Sequence, residues 1–83
     1  MYKLNVLRRA VKDIARLPGD YPRQAGERIE ALARDPRPPG AKKLSGDPGY
    51  SLRVGVYRIL YDVDDGAQVV TVYRVKHRRE AYR

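Results

Sequence analysis

Apolar and polar residues follow two different periods over the first part of the chain. Residues 2–7 alternate, which is typical of a short β-strand. From Arg8 the apolar residues recur at helical spacing, and this spacing predicts a first helix that ends at Pro18-Gly19. The residues predicted to face the core from this helix are Ala10, Val11, Ile14 and Ala15.

A second helix is predicted after Asp20, a residue type that favours helix N-termini, with Pro22 tolerated in its first turn. The two helices together form an αα-hairpin with a polar exterior. Segment 35–40 contains three prolines and a glycine and is predicted to be a loop, because it cannot continue a helix. The residues predicted to face the core from the second helix are Ala25, Ile29, Leu32 and Ala33.

The second half of the chain has the pattern of β-strands. Gly55-Val56 and Asp65-Gly66 are typical hairpin turns, so the predicted order is β-α-α-β-β-β. We expect one α+β domain over residues 1–83, in which the last three strands form an antiparallel sheet that the N-terminal strand joins and both helices cover on one face. The three stretches rich in β-forming residues are 50–54, 57–63 and 68–75.

The turns predict which residues stand opposite each other. With residues 55–56 as a two-residue turn, Arg53 stands opposite Arg58, and with residues 64–67 as the second loop, Tyr73 also stands opposite Arg58. The face predicted to lie under the helices carries Leu52, Val54, Tyr57, Ile59, Tyr61, Val63, Val70 and Val72. The other face is predicted to carry Ser51, Arg53, Arg58, Leu60, Asp62, Thr71 and Tyr73.

Composition narrows the possible chemistry. The 83 residues include no cysteine and a single histidine, His77, which excludes disulfides, a thiol nucleophile and the usual cysteine or histidine metal sites. No apolar run could span a bilayer and no signal-peptide segment follows Met1, so we expect a soluble cytoplasmic protein. Eighteen lysines and arginines against ten acidic residues give a net charge of +8, which favours a polyanionic partner over a surface that serves solubility alone.

The pair Arg53 and Arg58 is the first candidate site. Like charges directly opposite each other destabilise a strand pair, but they suit a phosphate site, because each guanidinium can hold a phosphate through two parallel hydrogen bonds. The alternative interpretation is that both arginines are solvated and pair with Asp62 or Asp64.

Further basic and aromatic residues accompany this pair. Lys42-Lys43 precede the first strand of the antiparallel sheet, and residues 73–83 carry five basic residues against one acidic residue. Tyr73 and Tyr82 offer rings on which bases can stack, which fits single-stranded or looped RNA better than duplex DNA. Packing is the alternative interpretation for the tyrosines, since the chain has no Phe or Trp.

The segments KKLSG and GYSLRVGVYRILY within residues 42–61, and the ending VKHRREAYR, resemble the signature of the RelE family of type II toxins. The resemblance covers the whole chain in length and element order and is most specific over residues 40–83. It implies a ribosome-dependent mRNA endonuclease that inhibits translation and is neutralised by a RelB-like antitoxin in a hetero-oligomer. It also implies cleavage in the ribosomal A site with no metal or other cofactor, by attack of the 2′-hydroxyl on the adjacent phosphate.

The resemblance implies roles for individual residues. Arg53 corresponds to a basic residue that contacts phosphate and takes part in proton chemistry, and Arg58 to an arginine that stabilises the transition state. Arg78 corresponds best to a tail arginine at the scissile phosphate, with Arg79 as the alternative. Tyr82 corresponds to a tyrosine that stacks on the mRNA base and assists the 2′-hydroxyl. The RNA- or ribosome-binding residues are then Lys42, Lys43, Tyr73, Lys76, His77, Arg79 and Arg83.

The chain departs from the RelE pattern at Ser51, where many relatives carry a second basic residue. His77 is a candidate to supply proton transfer instead, and solvent exposure or contact with ribosomal RNA is the other interpretation of this side chain. The ParE family shares the fold but binds DNA gyrase and cleaves no RNA, so gyrase inhibition is the alternative function. A module that binds RNA without cleaving it is a third.

Overall fold

A computed structural model describes residues 1–45 and 49–81 of the chain. It confirms the predicted order β-α-α-β-β-β and adds a two-residue strand and a short C-terminal helix. Within the described residues, no helix has the length and apolar character needed to cross a membrane. In chain order the elements are β1 (Lys3–Val6), α1 (Arg8–Ala15), α2 (Tyr21–Ala31), β2 (Lys42–Lys43), β3 (Tyr50–Val54), β4 (Tyr57–Asp64), β5 (Val69–His77) and α3 (Arg78–Ala81).

The strands form one five-stranded sheet in the order β1-β5-β4-β3-β2. Strands β3, β4 and β5 pair antiparallel, as predicted, and the short β2 pairs antiparallel with β3, whereas β1 lies parallel to β5 at one edge. The α+β class is confirmed. β5, the last strand in the sequence, therefore lies inside the sheet between the first strand and the fourth.

The core lies between the two longer helices and one face of the sheet, which we call the inner face. Helix α2 contributes as predicted, since Ala25 and Ile29 are buried, and Leu32 and Ala33 are buried just after its end. From the sheet, the six fully or almost fully buried residues that the alternation predicted for this face are Leu52, Val54, Ile59, Tyr61, Val70 and Val72.

Helix α1 packs differently from the prediction. Ala10 is fully buried and Ile14 packs against the core, but Val11 is 52% exposed and Ala15 is exposed. The prediction that Val11 and Ala15 face the core is wrong because Asp13, a polar residue, occupies the side of α1 that faces the sheet. The helix therefore turns one flank of its apolar stripe to solvent.

The second hairpin differs from the predicted register. Asp64 pairs with Val69 across a loop of residues 65–68, in which Gln68 has a positive φ of 56°. Further along, Leu60 pairs with Arg74 while Tyr61 pairs with Val72. Tyr73 is therefore the extra residue of a β-bulge, and the prediction that it stands opposite Arg58 is wrong.

The proline-rich loop 35–40 is fastened to the sheet by polar contacts. The hydroxyl of the fully buried Tyr61 donates to the Pro36 carbonyl at 2.7 Å. Arg37 donates to both carboxylate oxygens of Asp65, at 3.1 and 2.9 Å, and its Nε donates to the Tyr50 hydroxyl at 2.8 Å. Burial raises the pKa of Tyr61 to about 12, and the hydrogen bonds from Arg37 and Tyr2 lower the pKa of Asp65 to about 2.

Asp13 fastens α1 to the part of β5 that extends beyond β1. Its carboxylate accepts from Arg74 Nε at 2.8 Å and from the Val75 N–H at 3.0 Å, and its side chain is 14% exposed. Burial acts to raise the pKa of Asp13, but the hydrogen bonds from Arg74 and Val75 and the charge of Arg74 outweigh it and hold this pKa below its usual value.

These contacts predict a specific acid sensitivity. A carboxyl whose pKa is lower in the folded chain contributes stability above its unfolded pKa of about 3.9, and this contribution is lost as the pH falls through the folded pKa. We expect Asp13→Asn to lower the free energy of unfolding at pH 6 by about 1–3 kcal/mol and by less at pH 3. Urea unfolding at both pH values measures this, with the exposed Glu30→Gln as the control. Equal stability of Asp13→Asn and wild type at pH 6 would contradict it.

Candidate nucleic-acid interface

Three cationic side chains lie side by side across three neighbouring strands. Arg53 on β3 is paired with Arg58 on β4, as predicted, and Arg58 is paired on its other side with Lys76 on β5. Directly opposed residues of antiparallel strands point to the same face, with Cβ atoms about 4.5–5.5 Å apart. We call Arg53, Arg58 and Lys76 the cation row; it lies on the outer face of the sheet, away from α1 and α2.

The turn between β3 and β4 orients Arg53. Gly55 has a φ of 58°, and the positive φ is confined to the first turn residue, as a two-residue type II′ turn requires. Arg53 is exposed, and its Nε donates to the Gly55 carbonyl at 3.2 Å. This bond fixes the plane of a guanidinium at the end of the cation row.

Arg58 is the centre of the row and is half-buried, whereas Arg53 is exposed. A cationic group that is partly shielded from water and flanked by two further cations produces a concentrated positive potential. Such a site attracts phosphate and stabilises the extra negative charge that a phosphate gains in a five-coordinate transition state.

The C-terminal helix α3 begins next to this site. The backbone N–H of Arg78 donates to the carbonyl of Val56, in the β3–β4 turn, at 2.7 Å. Arg78 and Arg79 are both exposed. The structure thus brings two of the predicted tail arginines to the end of the hairpin that carries Arg53 and Arg58. Tyr82 and Arg83 lie outside the described residues.

His77 lies on the inner face, on the side of the sheet opposite its neighbour Lys76. It is paired with Tyr57, and the two rings meet edge to face with centroids 5.6 Å apart. Tyr57 in turn meets Tyr21 of α2 edge to face at 4.8 Å. The imidazole is therefore placed against aromatic side chains rather than in the cation row.

Tyr73 also lies away from the row, since two residues separate it from Lys76 along β5. It is half-buried, and its hydroxyl is 2.9 Å from the position that a Cβ on Gly49 would take. Its neighbours on the outer face, Ser51 and Leu60, are 3% and 8% exposed. Tyr73 is therefore part of a packed region of the outer face.

The two predicted lysines occupy the edge strand β2, and both are exposed. Lys42 is paired with Ser51, which places it on the outer face with the cation row, whereas Lys43 is paired with Tyr50 on the other face. Because Ser51 is buried, the position at which relatives are expected to carry a second basic residue is covered in this chain.

The membership of Lys76 in the cation row is the feature that the sequence prediction missed. The sequence does contain a signal for it. The buried residues of β5 are Val70, Val72 and Val75, so the spacing changes from two to three residues. A strand that keeps one face buried through such a change needs one extra residue, which is the bulge, and the register beyond it moves accordingly.

Comparison with known proteins finds a matching family model and several similar toxins. A family model described as the ParE toxin of type II toxin–antitoxin systems (parDE) matches residues 4–82. The toxin RelG of Mycobacterium tuberculosis is 34% identical over 89 residues, in an alignment that covers 99% of this chain and 97% of RelG. The putative toxin RelE1 of Methanocaldococcus jannaschii is 28% identical over 86 residues, with 99% of this chain and 96% of RelE1 covered.

Solved structures agree in fold. The chain is similar to one in the intact RelBE toxin–antitoxin complex of E. coli, with a TM-score of 0.78 and 29% identity over 93% of this chain and 96% of the other. It is similar to one in the archaeal RelE–RelB complex of Pyrococcus horikoshii, with a TM-score of 0.80 and 26% identity over 95% of this chain and 97% of the other.

Proposed function

The chain belongs to the RelE/ParE family of type II toxin–antitoxin toxins, and we propose that within this family it is a ribosome-dependent mRNA endonuclease of the RelE kind. The observation that carries the proposal is the cation row. Like charges placed directly opposite one another, as Arg53, Arg58 and Lys76 are, cost stability, so the row needs an anionic ligand that offsets this cost. A phosphate bound between the three side chains neutralises their repulsion and is attracted by all three.

The reaction that fits these groups is transesterification within the RNA strand. The 2′-oxygen of one ribose forms a bond to the adjacent phosphorus, and the bond from phosphorus to the 5′-oxygen of the next nucleotide breaks. The 2′-hydroxyl gives its proton to a base and the leaving 5′-oxygen receives one from an acid. The products are a 2′,3′-cyclic phosphate and a 5′-hydroxyl end.

We assign Arg58 to the stabilisation of the five-coordinate phosphate, since it is the centre of the row and is partly shielded from water. Arg53 binds a phosphate oxygen and takes part in proton transfer, and Lys76 adds a third positive charge. Arg78, with Arg79 next to it, reaches the same phosphate from α3. Tyr82, outside the described residues, stacks on the base beside the cleaved bond.

The remaining basic residues hold the RNA around the reacting group. Lys42 shares the outer face with the row, and Lys43 extends the same edge. We assign both to contacts with ribosomal RNA. Arg83 continues the tail, and Tyr73 and His77 support the surface from packed positions. Because the substrate is mRNA on a translating ribosome, the protein acts in the cytoplasm.

The proposed protein partner is a RelB-like antitoxin. Similar chains in solved structures are RelE toxins bound to RelB antitoxins in E. coli, Pyrococcus horikoshii and Methanococcus jannaschii. A segment that neutralises this toxin has to cover the cation row, so an acidic or amphipathic segment fits, in a hetero-oligomeric complex.

Primer extension on a defined mRNA in purified ribosomes tests the proposal. We expect a new stop inside the A-site codon when the protein is added, and an intact message when ribosomes are omitted. An intact message from folded protein on programmed ribosomes would refute RNA cleavage, and inhibition of DNA gyrase by the same preparation would then establish the ParE activity.

A further inference from the structure

His77 stands at the junction between β5 and α3, in the position of a helix N-cap. Its Nδ1 accepts a hydrogen bond from the backbone N–H of Arg79 at 3.2 Å. Residues at this position usually satisfy the second or third N–H of a helix through a side-chain oxygen. Here an imidazole nitrogen has that role, which a ring nitrogen can have only while it carries no proton.

The cap matters because α3 has four residues and cannot be stable alone. Its first turn is fixed to the sheet by a backbone hydrogen bond from the Arg78 N–H to the Val56 carbonyl. A second hydrogen bond runs from the Arg79 N–H to the side chain of His77. The imidazole itself is held by its edge-to-face contact with Tyr57, which rests on Tyr21. Helix α3 is thus connected to α2 through three rings in contact, those of His77, Tyr57 and Tyr21.

We propose that His77 is a positioning residue: its neutral Nδ1 caps α3 and thereby holds Arg78 and Arg79 beside the cation row, and protonation of the imidazole removes the cap. This inference rests on the proposed function for its effect on RNA cleavage, but the cap itself does not. A protonated Nδ1 is a donor and would face the Arg79 N–H, donor against donor. Histidine is the side chain that changes charge in the range between about pH 5 and 8.

The surroundings of His77 include both acidic and basic side chains. The ring borders an open cleft of about 440 Å³, whose charged lining residues are Asp13 from α1, Arg16 directly after α1, Arg74 from β5 and Glu80 from α3. Asp13 is already paired with Arg74 at 2.8 Å. Tyr57 from β4 and the backbone N–H of Arg79 also face the ring. The open cleft gives water access to the imidazole.

Backbone dynamics of the full chain, purified free of antitoxin, test the cap without any substrate. We expect the ¹⁵N order parameters of the Arg79 and Glu80 amides to be near 0.85 at pH 8 and to fall below about 0.6 at pH 5. In His77→Asn the side-chain oxygen takes the place of Nδ1 and cannot be protonated, so the order parameters stay high at both pH values. His77→Gln carries the same amide group one carbon further out and leaves α3 mobile at both.

Cleavage on ribosomes tests the consequence. At pH 8 we expect His77→Gln to cleave about fivefold more slowly than wild type and His77→Asn to cleave at the wild-type rate. The factor of about five is the change in helix population that the loss of one cap usually causes. When the pH is lowered from 8 to 5, the cleavage rate of the His77→Asn variant should fall less than that of wild type. Urea unfolding of each variant shows whether the domain is intact.

The outcomes separate the two proposals. A rigid α3 in His77→Gln, or no pH effect on α3 in wild type, would overturn the cap. If α3 becomes mobile but cleavage by His77→Gln matches wild type, the positioning role is wrong while the endonuclease stands. If wild type cleaves no RNA and α3 still responds to His77, the proposed function fails and the cap remains.

Discussion

Replacement of Arg58 by alanine is expected to lower the rate of mRNA cleavage on the ribosome by about 10²–10³-fold, the usual cost of removing one group that stabilises the charge of a transition state. Arg58 is the centre of the cation row, with Arg53 on one side and Lys76 on the other. Arg58→Lys keeps the charge but loses the planar fork, so we expect a rate between those of wild type and Arg58→Ala.

The matched control is Arg28→Ala, which removes the same charge from an exposed position on α2. We expect it to cleave within a few-fold of wild type. Single-turnover primer extension measures the rates, and urea unfolding confirms that each variant is folded. An Arg58→Ala protein that is folded and cleaves at the wild-type rate would show that the row does not carry the reaction.

Replacement of Gly49 by alanine is expected to lower the free energy of unfolding by about 3 kcal/mol, through a strained backbone and a steric clash together. Gly49 has a φ of 109°, which L-residues rarely adopt, and a Cβ there would lie 2.8 Å from the backbone carbonyl oxygen of Tyr61 and 2.9 Å from the hydroxyl of Tyr73. The carbonyl belongs to the central part of β4 and cannot move aside without disturbing the sheet.

Replacement of Gly26 by alanine is expected to have the opposite effect on the free energy of unfolding. This glycine lies within α2, and a Cβ there would meet no atom within 4 Å. We expect Gly26→Ala to raise stability by up to about 1 kcal/mol, because alanine favours the helix and restricts the unfolded chain. Thermal unfolding of both variants measures the difference, which should amount to roughly 15 °C or more for a domain of this size. A Gly49→Ala protein as stable as wild type would contradict the clash.

The parts of the fold that were predicted correctly depend on local rules. The β3–β4 hairpin follows from a two-residue turn with glycine first, and that turn alone determines that Arg53 faces Arg58. Helix α2 follows from a regular apolar stripe, and its buried residues match that stripe. In both cases the deciding interactions lie within a few residues of each other in the sequence.

The errors come from interactions between distant segments. Helix α1 has a regular apolar stripe too, but the bond between Asp13 and Arg74, 61 residues apart, turns the helix so that Val11 is exposed. The direction and partner of β1, which the sequence prediction left open, also have no local signal. A turn or a stripe in one segment cannot indicate which distant partner that segment will meet.

The candidate site was likewise predicted correctly only where a local turn determines the pairing. Arg53 and Arg58 were found together because one turn joins their strands. Lys76 was predicted as an RNA-binding residue of the tail, but its place opposite Arg58 depends on the bulge at Tyr73, beyond the predicted register. The roles of these residues in RNA cleavage stay predictions until the variants above are measured.

The position of β5 also has a consequence for the timing of folding. β5 is synthesised last among the strands, yet it lies between β1 and β4 and contributes Lys76 to the cation row. Until β5 has left the ribosome that is making the chain, β1 lacks its partner and the row is incomplete. Because pairing between segments that are distant in sequence forms late, the cation row is completed only when β5 inserts between β1 and β4.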